Sequence, residues 1–254
     1  MRIILVTISS LIICLIVFWT IKFWGRAQTF TAYSHPLYDY AAQLKHPVYF
    51  IRPTPLLVER ALDSIENLYL DLASTEDGQI VIAKKAWPAK AKPLRFSKYE
   101  EVKNDVILLS DFRSKLIGKK YIFNLSENAQ AGHVIFFDGM KTLGFEKGDN
   151  FIVTSPYEGI AKALKELAPS LLFGSTQPEI LKITAMKSMG LIEALNLRAD
   201  FIIYPLKIKN QKFYDESLID ELRRRHKYFI VGPISDSELA EAQSLKPWGI
   251  IVDK

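Results

Sequence analysis

The chain has 254 residues, with 33 Lys and Arg against 28 Asp and Glu, a formal net charge of +5. That surplus suits a protein beside anionic lipid but is far too small for an extended cationic face, so no nucleic-acid partner is expected. The single cysteine, Cys14, lies inside an apolar run, which excludes disulfides and thiolate metal sites from the rest of the chain.

That run, 3–24, is interrupted only by Thr7, Ser9, Ser10, Thr20 and Lys22. At about 1.5 Å per residue it is long enough to cross a hydrocarbon core of about 30 Å. Residues 1–24 read as an uncleaved single-pass membrane anchor. The alternative is a cleaved signal peptide; against it stand the length of the run and the lack of a small-x-small site before Gly25-Arg26. Arg2 and the amino terminus balance Lys22 and Arg26, so charge orients the span weakly. The domain beyond is expected on the extracytoplasmic side. Residues 25–46 form a juxtamembrane segment, in which 36–44 is apolar at Leu37, Tyr40, Ala41 and Leu44, a helical spacing.

From Pro47 to Lys254, β-branched and aromatic runs alternate with helical patterns. The expected strands are 48–52, 68–73, 121–125, 151–155, 171–173, 200–204, 228–231 and 249–252. Helices are expected at 56–65, 129–143, 157–167, 178–197, 215–226 and 235–245, with start signals at Pro178 and Ser235-Asp236. Eight strands mostly separated by crossovers imply parallel pairing, and eight is the number that closes a (β/α)8 TIM barrel. The fold class is therefore α/β, one barrel over 47–254 preceded by a transmembrane helix. No helix follows the last strand before Lys254, so segment 36–44 is expected to cover the seam between last and first strands, or else to lie in the lipid interface.

One stretch, 68–85, reads LYLDLASTEDGQIVIAKK. Leu68, Leu70 and Leu72 alternate with Tyr69, Asp71 and Ala73, a Glu76-Asp77-Gly78 turn follows, and 80–83 folds back. This hairpin resembles the signature of the glycerophosphodiester phosphodiesterase family. VYFIRP at 48–53 resembles that family's first strand, which ends in His-Arg-Gly. Residues 95–109, with Glu100 and Glu101, resemble the approach to its Pro-Thr-Leu-Glu-Glu helix. YIFNLS at 121–126 stands where the family has Ile-Glu-Ile-Lys, Val153-Thr154-Ser155 resembles its Ser-Ser-Phe strand, and WGIIVD at 248–253 resembles its closing Asp-Gly-Ile-Ile-Thr-Asp.

The resemblance implies phosphoric diester hydrolysis in lipid metabolism, with one divalent metal such as Ca or Mg on three carboxylates and two histidines as acid and base. Here the histidine positions read Ile51 and Ala83, and the metal positions read Tyr69, Asp71 and Asn124. Ser126 replaces a phosphate-facing Lys, and Val231 a frequent Trp. Arg52 and Asp71 remain. One carboxylate in a neutral shell holds a hard cation poorly, and proton transfer lacks an agent near neutral pH. No catalytic residue is therefore assigned and metal binding is doubtful, with Asp71 the sole surviving ligand.

Arg52 is expected to point into the barrel mouth, either toward a phosphate or in an ion pair with Asp71. The run 84–98 is basic and interleaved with Trp87 and Phe96, and Lys84, Lys85, Trp87 and Arg95 are candidate ligand residues for anionic head groups, unless the run is a solvated loop. Arg223-Arg224-Arg225-His226 reads as the cationic end of a helix. Two functions follow. One is a non-hydrolytic membrane-anchored relative that binds an anionic phospholipid, a glycerophosphodiester or a protein partner. The other is an active phosphodiesterase on glycerophosphodiesters or lysophospholipids with a rearranged site.

Overall fold

The computed structural model describes residues 2–43, 47–83, 92–126, 132–145, 148–208 and 211–254. Its helices α1 (Arg2–Ala27) and α2 (Pro36–Gln43) precede twelve strands: β1 (Val48–Arg52), β2 (Asn67–Ser74), β3 (Ile80–Ala83), β4 (Val106–Leu108), β5 (Lys120–Leu125), β6 (Phe151–Thr154), β7 (Leu172–Phe173), β8 (Phe201–Tyr204), β9 (Lys207–Ile208), β10 (Gln211–Lys212), β11 (Tyr228–Ile234) and β12 (Gly249–Asp253). Eight of them pair in parallel in the order β7-β6-β5-β2-β1-β12-β11-β8.

The ends of that path meet. Gly174 bridges Phe201 in parallel, and the Asp200 amide donates to the Phe173 carbonyl at 2.9 Å. Because β7 is short, a side chain extends the ladder: the Ser175 hydroxyl donates to the Ile203 carbonyl at 3.2 Å and accepts from the Ile203 amide at 3.0 Å. The result is the nearly closed eight-stranded α/β barrel read from the sequence. β3 and β4 hang from β2 as an antiparallel insert, and β9 and β10 form a separate hairpin.

Alternation in the strands sorts side chains into two layers. Phe50, Ile122, Ile152, Leu172, Phe201, Ile230 and Ile251 pack together inside the barrel. Leu68, Leu70, Leu72, Tyr121, Phe123, Phe151 and Val153 face outward and pack with the helices over that half. Ile202, Phe229, Val231, Ile250 and Val252 do the same over the other half.

The segment expected at 36–44 departs from expectation over α2, with Leu44 outside the described residues. The seam between β12 and β1 needs no cover, since the two strands pair in register from Val48–Gly249 to Arg52–Asp253. Instead α2 closes the bottom of the barrel, where the strands begin. Leu37 and Tyr38, 1% and 7% exposed, join the interior cluster, and Tyr38 stacks on Tyr228 with ring centroids 4.3 Å apart. The bottom of an apolar interior would otherwise be open to water, and burying these two side chains is worth roughly 1.5–3 kcal/mol each. The pull of that opening outweighs a place in the lipid interface.

The expected helix 178–197 is also shorter. It runs Gln177–Ser188, capped by Thr176, and stops before Gly190, whose φ of +68° breaks the right-handed run. A 3-10 turn, Ile192–Ala194, follows.

His35 fixes the start of α2. Its imidazole Nδ1 accepts a hydrogen bond from the Leu37 amide at 3.1 Å, while its Nε2 is buried with no partner among the described residues. Burial lowers its pKa below the ordinary 6.5; Asp149, Asp200 and Asp39 pull the other way without reversing the shift, and Lys165 adds to it. A histidine with a depressed folded pKa stabilises the fold while neutral, so its contribution is present above pH 6.5 and is lost as pH falls below it. Thermal melts of the wild type should therefore lose midpoint steadily below about pH 6.5. His35→Asn, which keeps an acceptor but cannot titrate, should flatten that part of the profile. Equal pH slopes for the two proteins would exclude His35 as the origin.

Candidate active site at the barrel mouth

The mouth is the carboxyl end of the parallel strands, where loops rather than strands set the chemistry. At that level the inward positions change from apolar to polar: Arg52 on β1, Asp71 on β2, Asn124 on β5, Thr154 on β6 and Asp253 on β12. Register brings them together, because Asp71 pairs with Asn124 and Arg52 with Asp253.

The centre is an ion pair. Arg52 Nε and Nη2 both donate to Asp71 Oδ2, at 3.0 and 2.9 Å. Asn124 Nδ2 donates to the other oxygen, Asp71 Oδ1, at 2.6 Å. Arg52 Nη1 lies 3.8 Å from Asp253 Oδ1, and the guanidinium sits over the Tyr69 ring at 5.5 Å. Burial works against the Arg52 charge, but Asp71, by attraction and by hydrogen bonding, together with Tyr69 and Asp253, raises its pKa above the ordinary value. Burial first, then the Asp71 carboxylate, raise the Tyr69 phenol, which stays neutral and able to donate.

A hollow of about 330 Å³ opens above this group, lined among others by Arg52, Pro53, Tyr69, Asp71, Ala83 and Asp253. Of the two positions matching family histidines, Ala83 lines the hollow. Ile51 packs outward, between the two clusters that join sheet and helices. Tyr69 points inward and lies in the interior cluster. Ser126 gives its hydroxyl proton to the Leu72 carbonyl at 3.2 Å, just as Ser155 does to Leu125 at 2.9 Å. These hydroxyls complete strand ends rather than face a ligand. Val231 packs outward.

Of the basic run, Lys84, Lys85 and Trp87 lie outside the described residues. Arg95 is described, with its guanidinium 4.8 Å from the Phe96 ring. Glu100 and Glu101 are tied to Lys103 and Lys92 at the surface. Asp253 was passed over in the sequence; the signal available was its place as the last acid of the closing strand.

The carboxylates do not fit a hard divalent cation. Among the described residues no three of His, Cys, Asp and Glu converge. Both Asp71 oxygens already have donors, and a guanidinium stands between Asp71 and Asp253. Ca in particular wants six to eight oxygens, and the Asp71 oxygens are occupied by Arg52 and Asn124.

Solved structures of low sequence identity share this fold. The glycerophosphoryl diester phosphodiesterase domain of a Mycobacterium tuberculosis protein superposes with a TM-score of 0.64 at 10% identity, over 82% of this chain and 96% of that one. A putative glycerophosphoryl diester phosphodiesterase from Silicibacter pomeroyi gives 0.63 at 10% identity, over 86% and 94%. An Oleispira antarctica phosphodiesterase, solved with the product sn-glycerol-3-phosphate, gives 0.60 at 11%, over 85% and 94%. No family model and no curated protein matches the sequence. The chain thus has the barrel fold of the glycerophosphodiester phosphodiesterases.

The ion pair makes a quantitative prediction. Arg52 and Asp71 side chains are 38% and 37% exposed, so their coupling falls well short of a fully buried pair, where loss of one partner costs roughly 3–5 kcal/mol. A double-mutant cycle with Arg52→Ala and Asp71→Ala should give a coupling of about 1 kcal/mol by chemical denaturation. A coupling indistinguishable from zero would mean that solvent already satisfies both groups.

Proposed function

We propose that this protein is a membrane-anchored barrel of phosphodiesterase fold that binds a small anionic phospho-ligand at its mouth and does not hydrolyse it. The observation that carries this reading is the state of Asp71, whose two oxygens are held by Arg52 and Asn124. A carboxylate so engaged is a poor metal ligand and a poor base. No histidine among the described residues lines the mouth hollow, so general acid–base catalysis near neutral pH has no agent there. Binding is another matter. The guanidinium keeps its Nη1 edge, and the neutral Tyr69 phenol lies below it; both are donors suited to phosphate oxygens. Asp253 opposes an anion, which favours a monoanionic diester over a dianionic monoester.

An uncleaved anchor is supported by contacts that α1 makes before residue 24, where Lys22 Nζ lies 3.9 Å from Glu193 Oε1 and the Phe18 ring lies beside Gly190; the end of α1 is held on the same loop. Arg224 donates through Nη1 to the Arg26 and Gln28 carbonyls, at 3.3 and 2.9 Å, and through Nη2 to Gly25 at 3.0 Å. Arg26 Nε lies 3.1 Å from Glu193 Oε1. A Cβ on Gly25 would fall 2.2 Å from the Glu193 carbonyl oxygen, so the helix backbone lies directly on the barrel. Cleavage after residue 24 would take Lys22 away from Glu193.

Full-length protein should show no turnover of glycerophosphocholine or glycerophosphoethanolamine above blank, with Ca or Mg supplied. Hydrolysis that disappears with chelator and with Asp71→Asn would restore the enzymatic reading. Binding of glycerophosphocholine, followed by ligand-observed NMR, should weaken at least about tenfold in Arg52→Ala, the range of a lost charge-assisted bidentate contact. Unchanged affinity would remove the guanidinium from the ligand site.

The protein should also stay with membranes through alkaline carbonate extraction, as a span of about twenty apolar residues does. A mature amino terminus starting after residue 24 would show a cleaved signal instead.

A further inference from the structure

Around α1, the barrel offers a second surface. From 6 to 17 every residue of α1 is exposed, and the helix first meets the domain at Phe18, Lys22 and Gly25, one face at helical spacing. These contacts fall on the loop that follows helix Gln177–Ser188. A Cβ on Gly190 would lie 3.9 Å from the Phe18 ring, and Lys22 Nζ is 3.9 Å from Glu193 Oε1.

Length then constrains where the bilayer can be. The stretch of α1 apolar enough to cross a bilayer runs Val6–Ala27, about 33 Å at 1.5 Å per residue against a hydrocarbon core of about 30 Å, and its part before Phe18 is too short to span alone. To complete the span, the core must extend past Phe18 toward Lys22. The loop that touches Phe18 is thereby drawn to the membrane surface.

The helix leading into that loop has an apolar outer stripe with no partner among the described residues. Leu181, Ala185 and Met189 recur every four residues and all face out, with Leu181 63% and Met189 53% exposed. The same helix buries Ile180 and Ile183 on its inner side, so apolar residues cover both faces. An exposed lysine, Lys182, stands beside the stripe, placed as snorkelling side chains are at a lipid interface.

Resting on the anchor reading above, we propose that this shoulder sits in the headgroup layer of the bilayer that holds α1. The shoulder covers the β7–β8 side of the barrel. In the strand order β1 and β2, which carry Arg52 and Asp71, lie diametrically opposite β7 and β8. The mouth hollow is therefore held away from the anchoring bilayer and takes its ligand from water.

The experiment uses the full chain in vesicles of phosphatidylcholine and phosphatidylglycerol, with an environment-sensitive fluorophore on one cysteine at a time. The native Cys14 labels the span. Met189→Cys, Leu181→Cys and Leu56→Cys, each with Cys14→Ser, label the shoulder and the mouth rim, where Leu56 is 87% exposed. Blue-shifted emission and quenching by a nitroxide lipid at residues 14, 181 and 189, with Leu56 quenched only by aqueous iodide, is the expected result. Lipid quenching at 14 but iodide quenching at 181 or 189 would overturn the shoulder while leaving the anchor in place. Lipid quenching at Leu56 would overturn the placement of the mouth. Iodide quenching at 14 would overturn the anchor, and the shoulder with it.

Discussion

The barrel depends on its dry interior. Eight parallel strands can close only around side chains that fill the space between them, and here Phe50, Ile122, Ile152, Leu172, Phe201, Ile230 and Ile251 do so. Such a column has two ends, and water would enter at both. At one end α2 supplies Leu37 and Tyr38 as a plug. At the other the inward positions turn polar, and their charges must be matched to one another because water reaches them only partly. The Arg52–Asp71–Asn124 arrangement is that matching. The site is thus the upper end of the packing problem solved by the barrel.

On the reading proposed above, the same arrangement shows how a fold can be kept without its chemistry. A metal-dependent hydrolase keeps several acids close together, and their repulsion is relieved by the cation they bind. Among the described residues the mouth has two acids, Asp71 and Asp253, and the cation between them, Arg52, is covalently part of β1.

Much of the fold was legible because its signals are local. Alternation in 68–73 and β-branched runs in 151–155 and 228–231 marked strands, and their spacing with helices marked parallel crossovers. The hairpin return at 80–83 was equally visible. What could not be read was anything that depends on where distant segments meet. The periodicity of Leu37, Tyr40 and Ala41 announced a helix, but its destination under the barrel rests on Tyr38, Phe201 and Tyr228 meeting across the chain. Likewise Arg224 and Arg225 looked like the end of one helix. Arg224 holds the end of α1, and Arg225, 3% exposed, donates to the Glu193 carbonyl at 2.7 Å. In the site, residue identities were legible, but orientation was not: Ile51 and Asp71 look alike as replaced and retained positions, yet one faces the helices and the other the hollow.

The pairing of β1 with β12 has a consequence for biosynthesis. Val48 finds its partner Gly249 about 200 residues later in the chain, a contact of very high sequence separation whose loop-closure cost is met only late. During translation the anchor and the first strands emerge while one flank of β1 is still bare. An unpaired strand edge of this kind is an invitation to aggregation. On the anchor reading, insertion of the apolar helix would hold the nascent chain at the membrane, apart from soluble neighbours, until the last strand arrives. The anchor would then matter to the birth of the protein as well as to its address.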